Sequence, residues 1–245
     1  VIKGFYPVIN VPKLGFIYCR LLVTLQNITE KDRKEIIDHL ITNKKVFWLF
    51  SVQGAFDLLI VMWAKTASEF KQFIEDLETR YGNFIKRKVE TITTDVIHFK
   101  HRFLLGIREI KEIHIKETDE RVKIDEKDKI ILDVLCKNPR ISLVDISKEV
   151  KESPKVIRYR INRLEKEKLI EAYRPIIDHN PLGYTYYKIF INLYEISKEN
   201  LSKLKSYLKS NPLLIYIVEG IGLPSDVDIE IVVKSNQELF NFIED

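Results

Sequence analysis

Lys155, Arg158, Tyr159 and Asn162 recur at i, i+3, i+4 and i+7, a spacing that sets four long polar side chains on one helical face, with Arg163 beside them and Lys166 further along. Arginine offers a bidentate fork, asparagine an amide that donates and accepts, and lysine a point charge. Together these groups can read base edges and neutralise phosphates in a DNA major groove. Ile157, Ile161 and Leu164 fall at i, i+4 and i+7 on the opposite face and read as the buried stripe. Residues 151–168 hold seven basic and three acidic side chains, a net of +4. The whole chain also carries +4, from 40 Lys plus Arg against 36 Asp plus Glu, so the remainder is balanced. A basic helix with incidental charge is the plain alternative, and the neighbouring elements weigh against it.

Those elements read as a winged helix-turn-helix. A first helix runs from about Asp125 to Lys137 with Ile131, Val134 and Leu135 inward, and Asn138-Pro139 stops it. A second opens at Ser142, with Asp145 three residues on, and places Leu143, Ile146, Ser147 and Val150 along one stripe. The third, which bears the basic face, takes Ser153 as N-cap and Pro154 at its first position, where a missing N–H leaves nothing unsatisfied. Leu169 to Ile177 reads as a β-hairpin wing.

The flanking sequence contains one module twice. At an offset of 168, Ile2, Pro7, Ile9, Leu14-Gly15, Tyr18, Leu25, Leu40, Asn43 and Gly54 match Ile170, Pro175, Ile177, Leu182-Gly183, Tyr186, Leu193, Leu208, Asn211 and Gly222. One inserted residue then shifts the offset to 169, and Asp57 and Phe73 to Asp76 match Asp226 and Phe242 to Asp245. In the first copy, Leu14–Gln26 reads as a strand and Thr29 with Asp32 as a capping box opening a helix. Two strands, Val46–Gln53 and Phe56–Ala64, break at Gly54. Thr66 with Glu69 is read as a full capping box for a helix ended by Gly82, and Phe84–Leu104 as a last β-rich stretch. Strand, helix, strand, strand, helix, strand is the ferredoxin-like order. The expected class is α+β, two ferredoxin-like βαββαβ domains flanking a winged helix-turn-helix. The expected divisions are 1–104 (with 1–10 aligned to the wing), a strand-like connector 105–121, the DNA-binding unit 122–180 and a shortened second domain 181–245.

Composition narrows the remaining classes. With 245 residues, 45% hydrophobic and 31% charged, the chain can bury two or three cores and is not predominantly disordered. No apolar run reaches the roughly 18 residues of a membrane span, so no membrane partner is expected. Cys19 and Cys136 each sit inside apolar runs and read as reduced thiols, which points to the cytoplasm. His98 and His101, three apart in a predicted strand, would face opposite sides, and no metal site is expected. Val1 is not an initiator methionine and no signal peptide follows it, so the sequence is expected to begin inside something longer.

Val122–Gly183 resembles the winged helix-turn-helix of the Lrp/AsnC (feast/famine) transcriptional regulators. The Asp-x-x-Asp start at Asp125, Arg140-Ile141-Ser142, Ser153-Pro154 and Arg163-Leu164-Glu165 are in register. The resemblance implies that Lys155, Arg158, Tyr159, Asn162 and Arg163 meet double-stranded DNA, with neighbouring Lys166 and the wing on phosphates. Ser142 and Ser153 would add phosphate contacts at helix N-termini. Lys151 stands where that family's turn favours glycine, and Glu152 where an apolar residue is usual. The repeated modules look like the family's effector domain, which binds amino acids or similar small molecules and self-associates. Gly54-Ala55-Phe56-Asp57 resembles its Gly-x-x-Asp turn, and Gly222 and Asp226 are the second-copy equivalents; turn formation alone is the competing reading of these glycines. The layout implies a fused dimer in which two modules of one chain pair.

Siroheme decarboxylases look like this same family and, as the resemblance implies, place His and Arg around the central hairpin. Leu49 to Asp57 has neither, so no catalytic residue, cofactor or enzymatic activity is expected. A third reading is an effector-sensing assembly protein that does not bind DNA.

Overall fold

The computed structural model describes residues 1–106 and 111–244; the connector positions Ile107 and Ile110, and Asp245, lie outside the described residues. The elements in chain order are β1 (Ile2–Ile9), β2 (Ile17–Leu25), α1 (Glu30–Thr42), β3 (Val46–Ser51), β4 (Leu58–Ala64), α2 (Ala67–Tyr81), β5 (Ile85–Phe99), α3 (Arg102–Leu105) and β6 (Glu112–Lys116). The central three-helix unit follows as α4 (Glu126–Lys137), α5 (Leu143–Val150), α6 (Pro154–Lys166) and β7 (Ile170–Ile177). The second copy comprises β8 (Thr185–Ile191), α7 (Lys198–Ser210), β9 (Leu214–Ile221), β10 (Val227–Val233) and α8 (Asn236–Glu244). The architecture is α+β, with a helix-turn-helix between two ferredoxin-like units.

Local chemistry starts the helices where the residue types predict. Thr29 Oγ1 accepts from Asp32 N at 3.2 Å while Asp32 Oδ2 accepts from Thr29 N at 3.1 Å, a closed capping box with Asp in place of Glu. The predicted box at Thr66 is only half made. Its hydroxyl accepts from Glu69 N, but the Glu69 carboxylate reaches back to Lys65 N at 2.6 Å and is held there by Lys45 at 2.7 Å. Gly82 has φ −54°, right-handed rather than a left-handed cap, and the chain leaves α2 through a 3-10 turn.

In the first copy the strands lie in the order β3-β4-β2-β5, and Leu21, Val23, Leu58, Ile60 and Met62 pack under Ile36, Leu40, Phe70, Phe73, Ile74 and Leu77 of the two helices. The second copy repeats this as β9-β10-β8 beneath α7 and α8. β5 joins the two. Its first part pairs with β2 and its later part with β9, from Ile92 opposite Ile221 to His98 opposite Tyr216. Ile97 and Phe99 consequently belong to the core of the second copy. Arg102 on α3 donates to the carbonyls of Lys209 and Asn211 at 2.7 Å, satisfying acceptors at the end of α7. β6, in the expected connector, pairs with the same end of β5. The expected division at 104 therefore does not separate two bodies.

Close approach explains two glycines. A Cβ on Gly220 would lie 2.4 Å from the Ile92 carbonyl oxygen, and one on Gly222 2.5 Å from that of Glu90, with Gly222 also at φ +75°. The sheet folds back at β5 so that the helix-free faces of the two copies meet. Phe56 packs edge-on against Phe190 at 5.8 Å, and Arg20 Nη1 reaches Asp228 Oδ2 at 2.7 Å.

The expected local wing hairpin does not form. β7 finds its partner at the other end of the sequence, in β1, because a single extended strand leaves its backbone groups unpaired. The register is self-complementary. Tyr6 lies opposite Arg174, its own counterpart at the repeat offset, and Phe5 opposite Pro175 mirrors Pro7 opposite Tyr173. This is the isologous pattern of a two-fold axis, here within one chain.

The ribbon docks through Arg174, which is 6% exposed, donates to the Phe99 carbonyl at 2.5 Å and lies 3.1 Å from His98 Nδ1. Burial, reinforced by Arg174 and His114, pushes His98 down to about 3. Burial with Arg174 and His179 lowers His101 to about 4. An unfolded histidine titrates near 6.5, so between that pH and about 4 the unfolded chain binds protons that the folded chain excludes, and stability falls as pH falls. Denaturant midpoints should therefore decline from pH 7 to pH 5, and His101→Gln should reduce the slope by up to about 1.4 kcal/mol per pH unit. A flat profile would refute the assignment.

Candidate nucleic-acid interface

α6 is positioned by its buried stripe. Ile157 and Leu164 are fully enclosed with Ile131, Leu135, Ile146, Val150, Leu169 and Ile170, while Ile161 is partly buried against the same cluster. Ser153 Oγ accepts from Val156 N at 3.4 Å, and Pro154 opens the helix as predicted. This packing leaves Lys155, Arg158, Tyr159, Asn162 and Lys166 exposed together, Tyr159 at 69%. At about 100° per residue these five share one broad face, while Arg163 falls on its flank and Arg160 beside the core.

Arg163 is accordingly turned inward. Its Nη2 donates to Asp128 Oδ2, and Arg160 Nη1 donates to Asp128 Oδ1 at 2.8 Å and to the Asp125 carboxylate at 2.9 and 3.0 Å. Asp128 is 0% exposed, so two guanidiniums balance one buried carboxylate and fasten α6 to the first turn of α4. Arg163, expected at DNA, is engaged in this intramolecular pair. Asp125 and Asp128, expected only as a helix start, form its other half.

The turn before α6 is made despite its unusual residues. Lys151 takes φ 57°, the left-handed cap of α5, and its N–H bonds to the Ser147 carbonyl. The Glu152 carboxylate forms an ion pair with Lys127 on α4, an electrostatic substitute for apolar packing. At the start of α5, Ser142 Oγ accepts from Asp145 N at 3.1 Å and donates to the Asp145 carboxylate at 2.6 Å. That carboxylate beside the helix start opposes a phosphate there, whereas Ser153 has no acidic residue in its first turn. The ribbon supplies little charge. Lys3 pairs with Asp178 at 3.1 Å, Arg174 is buried, and Tyr173 donates to Glu165 at 3.0 Å.

Gly54 and Asp57 line a cleft of about 550 Å³ with Glu30, Arg33, Ser51, Val52 and Gln53. Asp57 ties the hairpin turn to the end of β2, its N donating to the Val23 carbonyl at 2.8 Å and its Oδ2 accepting from Leu25 N at 2.7 Å. Arg33 Nη2 donates to Ser51 Oγ at 2.6 Å, and its Nη1 lies 3.8 Å from Asp57 Oδ1. The Gly54 and Asp57 turn motif does not include Arg33 and Glu30, whose sequence signal is their i, i+3 spacing on the first turn of α1. The second copy keeps the tie and lacks the cleft's charges. Asp226 Oδ2 accepts from Leu193 N at 2.8 Å, but Leu201 and Lys198 stand in place of Arg33 and Glu30, and Gly222 abuts the Glu90 carbonyl. Turn formation thus accounts for Asp57, Asp226 and Gly222, while the cleft adds a concavity at Gly54.

Comparison with known proteins agrees with this geometry. The winged helix-turn-helix DNA-binding family matches residues 124–171. An uncharacterised HTH-type transcriptional regulator of Pyrococcus furiosus is 43% identical over 82 residues, 33% of this chain and 53% of that protein. The matched part therefore spans about half of that relative. HTH-type transcriptional regulator FL11 of Pyrococcus horikoshii is 30% identical over 124 residues, 51% of this chain and 80% of that one. In overall fold the chain is similar to the siroheme decarboxylase NirDL, solved with an iron-uroporphyrin III analogue, with a TM-score of 0.63 over 100% of this chain and 70% of that one. At 10% identity this likeness concerns the fold alone. The capped helices, the left-handed turn, the exposed face of α6 and the similarity to these regulators together show that the chain belongs to the Lrp/AsnC family of transcriptional regulators.

Proposed function

We propose that the chain is a sequence-specific double-stranded DNA-binding regulator that reads the major groove with α6. The observation that carries this reading is the exposed cluster Lys155, Arg158, Tyr159, Asn162 and Lys166 on a helix whose other cations, Arg160 and Arg163, are occupied internally. Arg158 and Asn162 face outward with the donors needed for base edges, and Lys155 and Lys166 neutralise phosphates. Ser153 adds a helix N-terminus for one further phosphate. The role places the protein in the cytoplasm with its DNA, and no described helix is long and apolar enough to cross a membrane.

The Arg33 cleft is the effector site best supported, for an amino acid or similar small molecule that pairs its carboxylate with the guanidinium and its ammonium with Glu30. A non-enzymatic role is favoured because, of the His and Arg that the decarboxylase reading calls for around this hairpin, only Arg33 is there, and the histidines' contacts lie elsewhere: His39 on Tyr81, His98 on Arg174, His101 and His179 on Phe103, and His114 on Asp95. None of these partners lines the cleft. Absorbance titration with an iron tetrapyrrole discriminates the decarboxylase reading, which a specific shift would favour.

Three substitutions test the assignment. Arg158→Ala should cost about 1–3 kcal/mol of specific binding and relax selection at one base position in genomic-fragment footprinting. Lys166→Ala should weaken binding to all sequences alike and reduce the salt slope by about one. If neither changes binding, α6 is not the reading helix. For the cleft, Arg33→Leu should abolish any thermal shift seen on adding the twenty amino acids singly; an unchanged shift places the effector elsewhere.

A further inference from the structure

The repeat supplies a comparison that exposes how the two copies recognise each other. Arg20 on β2 and Lys188 on β8 occupy the same position in their copies, 168 residues apart. Arg20 lies opposite Val61 on β4, and Lys188 opposite Glu230 on β10; two residues along, Leu22 faces Leu59 and Phe190 faces Asp228. The strand positions that hold carboxylates in the second copy therefore hold Leu59 and Val61 in the first. Both cations turn to the one acidic pair. Arg20 Nη1 meets Asp228 Oδ2 at 2.7 Å, Lys188 Nζ meets Asp228 Oδ1 at 2.6 Å, and Lys188 meets Glu230 Oε1 at 2.9 Å. Tyr186 donates a short hydrogen bond to Glu230, and Thr91 Oγ1 takes Arg20 Nε at 3.3 Å.

Exposure makes this pairing consequential. The side chains of Arg20 and Asp228 are 2% and 0% exposed, and those of Lys188 and Glu230 13% each. Arg20 Nη2 has no acceptor among the described residues, so Asp228 and Thr91 carry the burial of this guanidinium. The buried part of the joined face contains two cations and two anions and is neutral, Arg87 over the Phe56 ring being exposed. Two first-copy faces in the same arrangement would bury two arginines with no carboxylate; two second-copy faces would bury two lysines with four carboxylates. Either mismatch leaves charge uncompensated in a site that excludes water, the most damaging way to break a buried ion pair. Leu59 and Val61, only 4% and 2% exposed, pack with Leu22 and Phe56 on the apolar side of the joint and offer nothing to a second cation.

We infer that the inner sheet faces carry a charge code that makes pairing heterotypic: the first module accepts a partner module with a carboxylate pair on its third strand, as the second module of this chain has, and rejects another first module. The code rests on the placement of charge, independent of the DNA-binding reading.

The test moves the carboxylates within the full chain. Asp228→Leu with Glu230→Val gives the second copy the residues of the first and leaves two buried cations. Leu59→Asp with Val61→Glu adds a second acidic pair. Each double variant should lower the thermal midpoint and speed amide exchange in β5 and β9 by on the order of a hundredfold or more. Combining all four substitutions transfers the acidic pair to β4, restores neutrality and should return exchange toward the native rate. Recovery in the combined variant supports the code even if one double variant fails to fold. A combined variant as damaged as the two doubles together, or a double variant that behaves as native, overturns it.

Discussion

Arg20 is buried between the two halves of one folded sheet, and its charge is answered by Asp228, 208 residues away in sequence. Such a pair tolerates little displacement, because separating it would strand a guanidinium and a carboxylate out of water. The joint it marks determines how the rest is arranged. β5 must run long enough to serve both halves, Gly220 and Gly222 must lack side chains where β9 crosses it, and Arg102 must reach the end of α7. The ribbon of β1 and β7 lies over the same joint, with Val8, Val96, Ile215, Val218 and Val232 in one cluster.

The distribution of charge follows from this division of labour. Inside the molecule, Arg20 and Lys188 are matched by Asp228 and Glu230, and Arg160 and Arg163 by Asp128 and Asp125, while Arg102 and Arg174 rest on backbone carbonyls. Among the described residues, the cations on the exposed face of α6 make no such ion pair. Arg174 ties the strand that follows α6 to the Phe99 carbonyl, so α6 is mounted on the strand that both copies share. A rigid mount of this kind limits the orientations in which the helix can meet a groove.

Much of this was legible from local patterns. The three helices of the DNA-binding unit carry their own signals, Asp125, Ser142 and Ser153 as caps and apolar residues at helical spacing, and the repeat disclosed both ferredoxin-like units. What escaped depends on contacts distant in sequence. A strand such as β7 advertises its need for a partner but not which strand answers it, so its sequence suggests a local hairpin where the partner is β1. Arg163 shares its residue type with Arg158, and only the buried Asp128 distinguishes their roles. Gly222 matched Gly54 in the alignment although one is compressed against the Glu90 carbonyl and the other opens on a cleft. The clearest unused clue was a difference within the repeat, Leu59 and Val61 against Asp228 and Glu230.

Every contact across the joint requires the two copies to pair within one chain. The direct measurement is isotope-filtered NOE spectroscopy on a mixture of differently labelled full-length chains. It would observe Ile92 with Ile221 and Val96 with Val218 on β5 and β9, and Tyr6 with Arg174 on the ribbon. Pairing within one chain gives these cross-strand contacts only between residues of the same labelled chain. Contacts that appear between differently labelled chains, or that are missing altogether, would contradict it.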